Sequence, residues 1–193
     1  MKNNFFIISL DFELHWGGFE KWNTSSYKSY FLNTRELIPQ ILKAFERSGV
    51  HCSWATVGLL MNKNREELGE NIPKEKPLYD NPDLSAYNFI SKYSVGQGEN
   101  DDPLHYAPTL VNYIIKTQGQ EVASHSYAHY YCNEPGQTPD QFLADAKAWN
   151  KAGKKYGLSH AKSLVFPRNQ FNADYLKKCK EVGIQIVRTN PKD

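Results

Sequence analysis

Cysteine is scarce in this chain of 193 residues. Cys52, Cys132 and Cys179 are odd in number, widely spaced and without a C-x-x-C pair, so a disulfide framework is excluded as the basis of the fold. Scattered thiols fit a reducing compartment, and the expected location is the cytoplasm. Long apolar runs are missing too. The run from Phe5 to Leu10 is too short for a secretory signal core and has no small-residue cleavage site after it. No segment approaches the ~20 apolar residues of a membrane-spanning helix. Charge of one sign is also in short supply: 23 basic against 21 acidic side chains leave a net charge of +2. Composition therefore gives no footprint for nucleic acid or an anionic membrane as partner. There is no internal repeat, low-complexity segment or linker to mark a second domain, and the length suits one domain with a sizeable core.

Aromatic side chains are plentiful instead, with 4 Trp, 12 Tyr and 10 Phe. Most are expected in the core. A few near functional residues would offer flat apolar surfaces for stacking on sugar rings.

Strand-like and helix-like segments alternate along the chain. Phe5 to Leu10 reads as a strand buried on both faces. A helix is expected over Thr34 to Ser48, with Leu37, Ile41, Leu42 and Phe45 at helical spacing and Gly49 just past its end. Pro39 either kinks that helix or moves its start later. His51 to Val57 reads as a second strand. Residues 70 to 108, rich in proline and glycine, read as a long irregular stretch of the kind that is usually functional. A short helix near Thr109 to Gln118 precedes a third strand, Gln120 to Ser124. Thr138, Pro139 and Gln141 form the start signal of another helix, including a capping box. Ser163 to Phe166 is the fourth strand. Asn172 caps a helix bearing Tyr175, Leu176, Cys179 and Val182, and Ile184 to Val187 is the fifth strand. This order predicts an α/β fold with a mostly parallel sheet.

The chemistry-bearing residues follow the expected strands. Asp11 and Glu13 come after the first, His125 and His129 after the third. Residues two apart at a strand end point the same way, so both carboxylates can face one site. Histidines four apart can share one side of a helix and reach one ion. Two imidazoles and a carboxylate form a common shell for catalytic zinc, leaving open positions for water and substrate. One carboxylate would ligate and the other stay free as a base. His15, His51, His105 and His160 have no such partners in sequence and are expected to be surface or satisfied core histidines.

At this point the chain resembles the polysaccharide deacetylase family, the NodB-homology domains of carbohydrate esterase family 4. Ser9-Leu10-Asp11-Phe12-Glu13 is similar to its first, acidic motif, and Glu121 to His129 looks like its metal-binding second motif. Leu164 to Gln170 looks like the third, and Ser53 to Gly58 is similar to its second-strand segment. The resemblance implies a (β/α) barrel-like fold with about five of its strands present. The expected unit is a single catalytic domain over residues 1–193, truncated at its C-terminus. It implies removal of acetyl groups from N- or O-acetylated sugars or polysaccharide precursors with one divalent metal, zinc before cobalt, nickel or iron. Asp11 would be the base, Glu13, His125 and His129 the metal ligands, and Arg168 the group that orients Asp11, with Asn169 and Gln170 as further contacts. The family has adjacent aspartates in its first motif; here Phe12 stands between the two acids. Its downstream general-acid histidine has no counterpart. Trp16, Trp22 and Trp54 lie near the expected site edge as surfaces for stacking on a sugar, with Trp16 and Trp54 the expected substrate-binding pair. Two other readings are a non-catalytic metal- or sugar-binding remnant and an amidohydrolase of the same fold acting on a small non-sugar amide.

Overall fold

A computed structural model describes residues 6–93 and 95–189. Five strands form one sheet: β1 (Ser9–Phe12), β2 (Cys52–Thr56), β3 (Gln120–Ser124), β4 (Ser163–Val165) and β5 (Ile186–Arg188). Their spatial order is β1-β2-β3-β4-β5, and every pairing is parallel. A sheet that follows chain order is wound in one direction only, as a barrel is, and has no point where the order reverses. The result is a half-barrel whose strand C-termini all lie on one edge.

The helices between strands are α1 (Thr24–Ser48), α2 (Arg65–Asn71), α3 (Ala86–Lys92), α4 (Pro108–Lys116), α5 (Pro139–Gly153) and α6 (Tyr175–Glu181). Helix α1 starts ten residues earlier than its apolar spacing predicts. Asn23 sets that start, because its Oδ1 accepts from the backbone N–H groups of Ser25 and Ser26. Pro39 lies inside the helix without ending it. The buried face is Phe31, Ile38 and Leu42; Leu37, expected on it, is exposed. Gly49 closes the helix in the left-handed conformation at φ 62°, where a side chain would be strained.

Strand β3 matches its expected bounds, and the Thr138–Gln141 capping box is present on α5. The first strand differs. Only Ser9–Phe12 pairs, with Ser9 beside Ser53 and Phe12 beside Thr56. Phe6 and Ile7 are exposed, and Phe5 lies outside the described residues. Among the described residues β1 pairs only with β2 and forms one edge of the sheet, so the apolar run before it is left uncovered there. Residues 70–108 are also more ordered than expected: the end of α2, all of α3 and two short turns lie there. Asn64 and Ser85 cap α2 and α3 with their side chains, a polar start signal in segments too short to show a helical period.

The core lies between the sheet and α1, α4, α5 and α6. Trp149 of α5 donates its indole N–H to the Thr56 carbonyl at 2.9 Å, fixing α5 against the end of β2. Trp16 and Trp54 are buried. Their indole N–H groups donate to the His105 carbonyl and to Gln120 Oε1, each at 3.0 Å. Neither presents a face to a sugar, which corrects that expectation. A large ring near a strand end is better satisfied by packing its body inward and bonding its one N–H.

Candidate metal centre

Glu13 follows β1 directly, and His125 follows β3. One oxygen of Glu13, Oε2, stands 3.1 Å from Nε2 of His125 and 3.1 Å from Nε2 of His129. The three donor atoms lie within 4.8 Å of one another, and both imidazoles are buried. The residues between the histidines are not helical. Instead Ser126 (φ 60°) and His129 (φ 53°) take the left-handed conformation, which folds the segment back so that both rings meet. The expected helical i,i+4 geometry is therefore corrected to a strained turn. All five non-glycine residues with positive φ among the described residues, Leu14, Ser126, His129, Arg168 and Asn169, follow β1, β3 or β4. Strain concentrates at functional edges when the surrounding structure over-determines it.

Asp145 provides that determination. It is buried on α5 and accepts from the backbone N–H of Tyr127 at 2.6 Å and of Ala128 at 3.0 Å, while Tyr87 donates its hydroxyl at 3.1 Å. Burial pushes its carboxyl up to about 7 against the opposing pull of those hydrogen bonds. Sequence reading missed Asp145, although an acid on the same face as Phe142 and Trp149 interrupts an apolar stripe and is a usable signal. Gly17 was missed as well. A Cβ there would stand 2.1 Å from Glu13 Cδ, so only glycine leaves the carboxylate where it is.

The donor chemistry fits a divalent ion. His125 Nδ1–H donates to the Val165 carbonyl at 2.8 Å, and His129 Nδ1 is hydrogen-bonded to the Tyr131 hydroxyl at 2.9 Å. Occupying each Nδ1 directs both Nε2 lone pairs inward, as at histidine–metal sites generally. Donors bound at about 2.0–2.1 Å to a tetrahedral ion stand about 3.3 Å apart, close to the 3.1 Å separations here. Burial works against the Glu13 charge, but hydrogen bonds and charge from both histidines hold its carboxyl well below the ordinary range. Burial lowers the basicity of His129, opposed by Glu13. The centre is thus an ionised carboxylate facing a buried imidazole that favours its neutral form.

The two arginines divide the work differently from the expectation. Arg168 forms an ion pair with Glu20, and its guanidinium lies 4.5 Å above the Tyr131 ring. It supports the tyrosine that holds His129. Asp11 is instead met by Arg188 of β5, whose Nη2 lies 3.1 Å and 3.2 Å from the two carboxylate oxygens. Arg188 also donates to Ser9 Oγ at 2.6 Å and to Asn169 Oδ1 at 3.3 Å. The left-handed turn at Arg168 and Asn169 carries Arg168 towards Tyr131 and leaves Asn169 at the Arg188 fork. Gln170 bonds Asn133 and Glu134.

His15 and His105, expected as satisfied core or surface residues, are buried and hydrogen-bonded to each other, with His15 Nδ1 2.8 Å from His105 Nε2. His105 Nδ1 faces Asp102 at 2.7 Å, and His15 Nε2 faces the Trp22 carbonyl at 2.7 Å. Every ring nitrogen of this pair is committed.

The fold is a singly wound parallel half-barrel with a carboxylate–imidazole–imidazole cluster at its strand C-termini, a donor set that could hold a divalent ion. Residues 25–187 match the family described as polysaccharide deacetylase. The chain belongs to that family. The matched span contains His125, His129 and Arg168, begins after Asp11 and Glu13, and ends one residue before Arg188. Among solved structures, a Mycobacterium smegmatis protein assigned as a polysaccharide deacetylase superposes with a TM-score of 0.56 at 13% identity, over 92% of this chain and 48% of that one. A CE4-family pseudoenzyme from Bacillus anthracis superposes at 0.51 with 12% identity, over 94% and 41%. A mutant of that pseudoenzyme, described as having restored enzymatic activity, gives 0.52 at 13% identity, over 94% and 43%. These likenesses establish the fold, and the chain spans less than half the length of each. No curated protein matches it.

Proposed function

We propose that the chain is a metal-dependent hydrolase that removes an acetyl group from an N- or O-acetylated sugar or polysaccharide precursor. The observation that carries this is the convergence of Glu13 Oε2 and two imidazole Nε2 atoms, with each Nδ1 tied to a fixed partner. Zinc suits this mixed shell, as do cobalt, nickel and iron. A divalent ion held by these residues would supply Lewis acidity and make a water at the site more acidic.

Each residue of the chain then has a task. Glu13, His125 and His129 donate the three lone pairs. Asp11 takes a proton from the attacking water as its oxygen bonds to the acetyl carbonyl carbon. Arg188 holds Asp11 in place through its two-oxygen contact. Tyr131, under Arg168, fixes the His129 ring. The carbon–nitrogen or carbon–oxygen bond breaks, acetate leaves, and the sugar amine or hydroxyl gains a proton. The proposed compartment is the cytoplasm, supported by three cysteines that are all free and buried.

Elemental analysis of purified wild type beside His125→Ala tests the reading. About one divalent ion per wild-type chain, lost in the variant, supports it, and acetate release from a panel of acetylated sugars and small amides then assigns the reaction. No ion after dialysis against zinc or cobalt rejects it. A second reading, metal or sugar binding without turnover, is favoured by the position of two cavities of about 490 and 450 Å³, neither of which is lined by the three ligands. Bound metal without acetate release from any substrate of the panel would select it.

A further inference from the structure

The larger of these two cavities, about 490 Å³, is lined by the loop that follows Glu13. It is the right size for a ligand. Its walls are the loop after β1, the start of α1 and helix α3. Phe89 forms its floor, with ring centroids 4.9 Å from Tyr93 and 5.5 Å from Phe19. Trp22 stands at its side, half-buried. The Asp102–His105–His15 chain ends on the Trp22 carbonyl, so a half-buried acid and two buried imidazoles hold that backbone in place. Their nitrogens are all committed, which makes them a wall and not a ligand set.

The charges left to meet a ligand are uneven. Lys21 and Lys92 both line the cavity, and neither has an ion-pair partner among the described residues. Lys92 Nζ lies 5.3 Å above the Tyr93 ring. Glu20 also lines the space, but its charge is met by Arg168, leaving Asp83 as the single lining acid without an ion-pair partner. Glu20 and Arg168 also join this cavity to the metal centre, since Arg168 rests on Tyr131 and Tyr131 bonds His129.

We propose that this cavity binds a sugar unit carrying an anionic substituent, a carboxylate or a phosphate, next to the unit that offers its acetyl group to the metal centre. The aromatic floor and Trp22 take the apolar face of the ring. Lys21 and Lys92 take the anion. The inference rests on the reading that the chain acts on sugars, and it concerns residues outside the metal shell.

Calorimetric titration tests it with three probes: a hyaluronan tetrasaccharide for the carboxylate, N-acetylglucosamine 1-phosphate for the phosphate, and neutral chitotetraose as control. At least one charged probe is expected to bind about tenfold tighter than the neutral one. That advantage should vanish in a Lys21→Met/Lys92→Met double variant and shrink at high salt. Trp22→Ala should weaken both classes of probe. Metal content must stay at the wild-type level in these variants, which shows that they fold. His125→Ala, with its metal lost, should still bind the charged probe, so failure of the metal reading is told apart from failure of this one. No saturable binding of either charged probe, equal affinity for the neutral one, or a double variant indistinguishable from wild type would overturn the proposal.

Discussion

Two pairs of histidines sit close to the edge of the same half-barrel and use their nitrogens in opposite ways. His125 and His129 each tie down Nδ1 and turn Nε2 towards one carboxylate oxygen. His15 and His105 bond each other, and their outer nitrogens end on a carboxylate and a backbone carbonyl. Both pairs are buried and both face an acid. The difference is that the first leaves its donors converging on one point, whereas the second leaves none free. Burial and an acidic neighbour therefore do not define a metal site; convergent lone pairs do.

The sharpest way to break this comparison is to remove one imidazole from each pair. His125→Ala should lose the bound ion altogether, with little loss of stability in the metal-free chain. His105→Ala should keep the ion and lose about 3 kcal/mol of stability, because it removes the imidazole that joins Asp102 to His15 and leaves both without that partner. Burial disfavours the Asp102 charge, yet the His105 hydrogen bond and charge hold its carboxyl below the ordinary value, and that support goes with the ring. Denaturant titration paired with metal analysis reads both. Equal metal loss in the two variants would erase the distinction.

Asp145 offers the next test. Its folded carboxyl titrates at about 7, against about 3.9 unfolded. Between those values the folded chain binds more protons than the unfolded one, so stability falls as pH rises from about 4 to 7 and levels off above. The slope reaches at most about 1.4 kcal/mol per pH unit, and Asp145→Asn should remove it. A variant with the same slope as wild type would assign the pH dependence elsewhere.

Gly17→Ala should displace the Glu13 carboxylate and weaken metal binding by about tenfold to a hundredfold while leaving the melting temperature nearly unchanged. Competition with a metal chelator measures this; unchanged affinity would mean that Glu13 has room to move. The smallest effect is expected at the far end of α5, where Thr138→Ala removes half of the capping box and about 1 kcal/mol without touching the metal.

Much of the fold was legible because apolar period and caps are local signals. β3 and the α5 start could be read to the residue. The start of α1 could not, since Asn23 caps a first turn with no apolar repeat. The three proposed ligands were readable as residue types at strand ends, but the turn that joins two of them was not, because Ser126 and His129 have no glycine to advertise a left-handed backbone. Trp16 and Trp54 misled because sequence does not show which way a ring faces. Arg188 stayed hidden because its partners Ser9 and Asp11 are on the first strand and it is on the fifth.

That distance gives the clasp of Arg188 on Ser9 and Asp11 a place in time. The bonded residues are 179 and 177 positions apart. A chain leaving the ribosome gathers its early segments first, so Glu13, His125 and His129 are all available before Arg188 has been added. Asp11 receives its cation only when the fifth strand joins the sheet. A nascent chain can thus gather its three proposed metal donors while the proposed base is still untethered, and the fifth strand sets that base in place.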